Sequence, residues 1–178
     1  MPRIHILGAS GSGTTTLGAA LGLALAIPHS DSDAFYWLPT DPPFTTARPL
    51  AARQALLIDQ LKADASWVLS GSATAWAQPI ERLYDLIVYL QLDPTLRMER
   101  LRQREQTRYG ARIAAGGDMA AASRAFLRWA AAYDTAGAEQ RSRVLHEAWL
   151  ASQTAPVLRL NTAAALPHLV AAVKSALP

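Results

Sequence analysis

The sequence contains no cysteine and only two lysines, Lys62 and Lys174, among 178 residues. The first absence excludes disulfides, thiolate nucleophiles and cysteine-based zinc sites, and suits a reducing compartment. The second leaves positive charge to arginine, which supplies the other 15 of the 17 basic residues. A coding bias toward alanine and arginine accounts for that imbalance, and so does a need to bind small phosphorylated ligands. No window approaches the roughly 18 uninterrupted apolar residues of a membrane span. The start, Met1-Pro2-Arg3-Ile4, enters a strand-like run without the long apolar core of a secretion signal. A cytoplasmic protein with no membrane partner is expected, as a monomer or homodimer.

Charged residues make up 17% and apolar ones 51%, a globular composition in a chain long enough for one domain with a proper core. The net charge is +3, and six arginines fall between Arg97 and Arg112. That concentration raises nucleic acid as a partner. No helix-turn-helix, zinc-finger or RNA-binding signature accompanies it, so small anionic ligands are the expected partners.

Along the chain, apolar runs alternate with helical patterns. Arg3 to Leu7 reads as a buried strand and Thr14 to Ala26 as a helix with Leu17, Leu21 and Leu25 on one face. Pro28-His29-Ser30 is a short second strand ending at Asp31-Ser32-Asp33. Residues 39–49 hold four prolines and read as an irregular loop. Helices are expected over Leu50 to Ala63, from Thr95 into the arginine cluster, from an Asp118 cap to Tyr133, over Ala138 to Gln153, and over Leu166 to Leu177. Further strands fall at Trp67 to Leu69, Leu86 to Leu90 and Val157 to Leu160. The stretch Tyr109 to Gly117, with three glycines, should break regular structure. Such alternation defines an α/β fold with a parallel sheet covered on both faces.

The strongest local signal is Gly8-Ala9-Ser10-Gly11-Ser12-Gly13-Thr14-Thr15-Thr16, between the first strand and its helix. Gly, four residues, Gly, then two more is the spacing of a phosphate-cradling loop. Its glycines let backbone N–H groups converge on an anion, and the helix that follows adds its N-terminal donors. The pattern's lysine is missing, with Thr14 in its place. Thr15 stands where a hydroxyl would reach Mg²⁺. A dinucleotide fingerprint fails because Thr16 stands where its third glycine belongs, and His146-Glu147 lacks the second histidine of a zinc-protease helix at Leu150.

The loop, with Asp31-Ser32-Asp33 after the second strand, resembles the adenylate-kinase-like P-loop kinases. That group includes nucleoside monophosphate kinases, shikimate and gluconate kinases, and small ATPases labelled topology-modulation proteins. Lysine-free loops reading Gly-Ser-Gly-Thr occur within it. The resemblance implies a three-layer P-loop fold with a five-stranded parallel sheet in the order 2-3-1-4-5, ATP and Mg²⁺ as cofactors, an acceptor-binding segment over about 31–63 and a lid over about 104–118.

The resemblance also distributes roles. Gly8 through Thr16 would hold ATP, with Asn161 at the adenine. Thr15 and Asp31 would face the metal, and Asp33 the acceptor. A cap and turn after the strand is the alternative for that acidic pair. Trp37 and Phe44 could stack on a base and Arg48 hold a phosphate, or the aromatics could form a local mini-core. Gly71 would admit the acceptor to the backbone, with Arg82 nearby. Ser70 stands where an acidic residue is frequent. Arg104, Arg108 and Arg112 would close over the transferring phosphate, unless that helix face is merely solvated and paired with Glu99 and Glu105. A nucleoside monophosphate is the first expectation for the acceptor and a hydroxylated metabolite the second. A regulatory nucleotide-binding module without transferase activity is a further alternative.

Overall fold

Strand β1, Arg3–Gly8, sorts its side chains by the two-residue period of a strand. Ile4 and Ile6 enter one core, while Leu7 enters another on the opposite face, where His5 stacks on Tyr84. The strand therefore needs cover on both sides. The computed structural model, which describes residues 1–62 and 64–177, shows that cover as helices on both faces of the sheet. Strands β2 (His29–Asp31), β3 (Trp67–Ser70), β4 (Leu86–Gln91) and β5 (Val157–Asn161) pair in parallel with β1 in the order β2-β3-β1-β4-β5. This is the expected α/β architecture and strand order.

Helix α1, Thr14–Leu25, buries Leu17 and Leu21 against β1. It approaches the sheet closely at Gly18, where a Cβ would collide with His29 Nε2. Helix α7, Leu166–Ser175, covers the same face through Leu169 and Val173. The other face is closed by α3, Leu50–Lys62, through Leu57 and Leu61, and by α6, Arg143–Ala151, through Leu150. The predicted end of α3 at Ala63 lies outside the described residues.

After β2 the chain takes the cap-and-turn alternative: Asp31 caps the short helix α2, Ser32–Tyr36, accepting from Asp33 N at 3.0 Å. Two expectations need correcting. Asp118 does not cap the helix α5, Ala120–Ala131, because its carboxylate is taken by Arg112. Met119 precedes that helix instead. The helix expected over 138–153 forms only at α6, because Ser142 is extended, accepts from Leu145 N and donates to Gly137 O. Helix α4, Pro94–Tyr109, ends where the glycine-containing stretch begins. Among the described residues no helix is long and apolar enough to cross a membrane.

Two buried histidines give the fold an acid limit. Burial pushes His5 down to about 4 and His146 to about 3, from an ordinary value near 6.5. Each is neutral in the folded chain and gains a proton on unfolding below pH 6.5, so stability rises with pH across that window. Denaturant unfolding at pH 7 and pH 4 should differ by about 3 kcal/mol for each histidine. A stability unchanged between those values would refute the neutral assignment.

Candidate active site

The loop between β1 and α1 is set by two left-handed residues, Gly11 (φ 87°) and Gly13 (φ 96°). Gly13 begins α1 without a side-chain cap, and the first turn holds no acidic residue. The N–H groups there are left for an external anion. Beneath the loop lies Arg97, 1% exposed, from the first turn of α4. Its Nη1 donates to Ser10 O at 3.2 Å and Ala130 O at 2.9 Å, and its Nη2 pairs with Asp134 at 3.1 Å. Gly11 rests directly on Arg97 O and the Leu101 side chain, each 2.8 Å from where a Cβ would stand. Arg97, the first of the arginine series, is therefore a brace of the loop, not part of a solvated face.

Beside the loop opens a cleft of about 510 Å³, walled by Gly11 through Leu17, by Arg100, Arg104 and Arg108 of α4, and by Thr162. Thr14 brings no charge. Arg100 does: its Nη1 lies 4.0 Å from where a Cβ on Gly13 would sit, and its Nη2 donates to Thr162 O at 3.1 Å. This arginine belonged to the series but was not among the three singled out from sequence. A charge-assisted hydrogen bond contributes about 1.5–3 kcal/mol. Arg100→Ala should therefore weaken ATP binding roughly 10- to 100-fold. Thr14→Lys alone should change it by less than about threefold, but should restore binding in the Arg100→Ala background. Calorimetric titration of the three variants with a non-hydrolysable ATP analogue checks this; equal affinity in Arg100→Ala and wild type would reject it.

Across the loop, Thr15 Oγ1 donates to Asp31 Oδ2 at 2.5 Å, joining the start of α1 to the end of β2. Ser70 Oγ donates to the same oxygen at 3.4 Å and shares a 2.9 Å hydrogen bond with His29 Nε2. Hard oxygens at the mouth of an anion cradle suit Mg²⁺, which takes few protein ligands and completes its shell with phosphate and water. The uncapped helix start, the open cleft and this oxygen pair together fit ATP with Mg²⁺.

Asp33 keeps solvent on one side. Surrounding protein and the neighbouring Asp31 raise its pKa, opposed by Arg141, Arg104 and the Trp37 indole. Arg104 is displaced in the opposite sense by burial and by Arg108. Arg141 is a residue that sequence reasoning missed. It precedes the α6 cap, is half-buried, and has its guanidinium 5.3 Å from the Trp129 ring centre. Burial lowers its pKa, while Asp33 raises it. No spacing marks it, because a lone arginine in a loop has no pattern to belong to.

Other predicted residues are otherwise engaged. Arg48 donates to Phe35 O at 3.0 Å and Trp37 O at 3.5 Å, pinning the insert's own backbone. Trp37 packs edge-on against Tyr36 and Phe44, the mini-core arrangement. Arg112 is held by Asp118 at 2.7 Å and Asp41 at 2.9 Å. Arg108 lies 4.6 Å from the centre of the Phe44 ring, so α4 and the insert meet at the cleft mouth. Gly71 (φ 95°) turns the chain against Asp31 and Ser32. Arg82 is exposed on a 3-10 turn. Asn161 accepts from Ala163 N and leaves the cleft wall to Thr162. Gly8, Ala9 and Ser10 lie below the cradle, with Ser12 Oγ buried and unpartnered.

The parallel sheet in this order, with a glycine-rich loop feeding α1, is the fold of the P-loop kinases. Solved structures share it: shikimate kinase from Bacteroides thetaiotaomicron is 16% identical at a TM-score of 0.58, covering 98% of this chain and 97% of that one. Shikimate kinase from Acinetobacter baumannii in complex with shikimate is 15% identical at 0.55, over 99% and 92%. A gluconokinase from Sinorhizobium meliloti 1021 is 16% identical at 0.52, over 96% and 87%. No family model matches the chain. In sequence it is 46% identical over 159 residues to Uncharacterized protein YqaC of Bacillus subtilis (strain 168), covering 89% of this chain and 88% of that protein. The chain belongs to the YqaC family.

Proposed function

We propose that this protein is an ATP-dependent phosphotransferase whose acceptor is a small hydroxylated acid, of the class that shikimate and gluconate kinases use. The observation that carries the reading is Asp33, exposed past the end of β2 and under the influence of Arg141 and of Arg104, which walls the cleft. A carboxylate there accepts the proton of an attacking hydroxyl, and an arginine beside it fixes an acid group of the same molecule. Thr15 and Asp31 hold the metal side of the nucleotide, Arg100 neutralises the phosphates in place of the absent lysine, and Arg104 stabilises charge on the group in transit. ATP supplies the phosphoryl group and Mg²⁺ neutralises its oxygens. The segment about 31–63 would shape the acceptor side, and residues about 104–118 the lid.

The engagement of Arg48 and Trp37 within the insert turns the reading away from a nucleoside monophosphate. Phe44, 36% exposed at the cleft mouth with Arg108 over its ring, keeps that acceptor as a second reading. Coupled assays of ADP formation with a panel of sugar acids, hydroxy acids and nucleoside monophosphates decide. Turnover confined to monophosphates would overturn the first reading; ATP binding with no turnover on any acceptor would replace both with a regulatory nucleotide-binding protein.

A further inference from the structure

Under the β3 end of the sheet runs a chain of hydrogen bonds unconnected with the nucleotide side. Ser72 Oγ meets His146 Nε2 at 2.9 Å, His146 Nδ1 meets Tyr133 OH at 2.8 Å, and Tyr133 OH meets Tyr89 OH at 2.8 Å. His146 is fully buried, Tyr89 is 1% exposed and Tyr133 5%, while Ser72 is half-buried. Such a chain has two directions. In one, Ser72 donates inward and every hydrogen is passed toward Tyr89, whose own hydrogen then has no acceptor among the described residues. In the other, Tyr89 donates to Tyr133, Tyr133 to His146 Nδ1, and His146 Nε2–H to Ser72.

A buried donor without an acceptor costs more than an acceptor with a spare lone pair. The second direction is therefore the favoured one, and it has an external consequence. Ser72 Oγ already accepts from His146, so its hydrogen is free to point outward. Ser72 lies two residues past the end of β3, next to Gly71, which abuts Asp31. On the other side, the charge of Arg141 reaches both His146 and Asp33. Ser72 thus stands among the groups assigned to the acceptor.

We propose that Ser72 is an acceptor-binding residue whose hydroxyl hydrogen is aimed at a ligand oxygen by the buried relay Tyr89–Tyr133–His146. This rests on the acid-acceptor reading given above. His146 is a positioning residue in this scheme and moves no proton during the reaction. It has to remain neutral, since an imidazolium would donate from both nitrogens and turn Tyr133 away. Burial, Arg141 and His5 all lower its pKa, and only Glu147 opposes them.

The direction of the relay is open to nitrogen-15 NMR of histidine-labelled protein at neutral pH, with no ligand required. His146 should carry its proton on Nε2 alone. Tyr89→Phe should keep that tautomer, because in the reverse direction the Tyr133 hydrogen would then be the stranded donor. An Nδ1–H tautomer in wild type would overturn the proposal, meaning that a water in the cavity of about 30 Å³ beside Tyr89 takes its hydrogen. An Nδ1–H tautomer in Tyr89→Phe would overturn it too.

The ligand side is read with D-gluconate as the probe. Ser72→Ala should weaken gluconate binding about tenfold while leaving the affinity for an ATP analogue unaltered, and Ser72→Thr should restore it. Equal gluconate affinity in wild type and Ser72→Ala would overturn the binding role. Absence of gluconate binding to wild type would count against the acid-acceptor reading itself, while the spectra still decide the relay.

Discussion

Asp33→Asn is expected to lower the turnover of phosphoryl transfer by about 10²- to 10⁴-fold, the usual contribution of a positioned general base. The asparagine keeps the shape of the side chain but cannot take a proton, so ATP-analogue affinity should stay at the wild-type level. The pH profile supplies an independent readout. Surrounding protein and Asp31 raise the Asp33 pKa, and a general base at that position must be ionised to act. Wild-type kcat/KM should therefore fall as pH drops through an acid limb lying above the ordinary aspartate value of about 4. That limb should vanish from the residual activity of Asp33→Asn. A variant that retained both the turnover and the limb would remove Asp33 from the chemistry.

Arg97→Leu is expected to destabilise the fold by about 3 kcal/mol. Removing one partner of a buried ion pair typically costs about 3–5 kcal/mol, because the remaining charge is stranded. Here Asp134 also pairs with Arg143, which puts the loss at the lower end. Ser10 O and Ala130 O would lose their donor as well. Against a total stability of about 5–15 kcal/mol for a domain, the change is large. Urea unfolding of wild type and variant measures it, and a difference below about 1 kcal/mol would return Arg97 to the role of an ordinary surface residue. Adding Asp134→Leu should recover part of the loss, since the two sites share one contact.

Arg97 also shows where sequence reasoning reaches its limit. Steps of three and four place residues on one helix face, and that much was legible from Arg97 through Arg108. Whether a face meets solvent or a neighbouring loop is decided by packing, which spacing does not encode. The same holds for residues 138–142, whose alanine, glutamate and glutamine favour a helix until Ser142 bonds back to Gly137 O. By contrast, β1, the loop and α1 were readable because glycine spacing and apolar alternation act locally. The strand order followed from the resemblance that this loop carries. Asp31 takes the cap that was the alternative for the acidic pair and also meets Thr15; the cap and the bond to Thr15 use different oxygens of one carboxylate. Arg141 had no local signature because its relation to Asp33 exists only once α6 has docked.

The brace at Arg97 has a mechanical consequence for the rest of α4. Its first turn is pinned to Ser10 and Asp134 and its middle to Ser123 through Glu105, so the helix carries its arginines outward from a point fixed beneath the phosphate loop. At 1.5 Å per residue, Arg100 stands about 4–5 Å along the helix and Arg108 about 16 Å. One helix thus sets Arg100 at the loop and Arg108 at the rim, graded by distance from a single buried guanidinium.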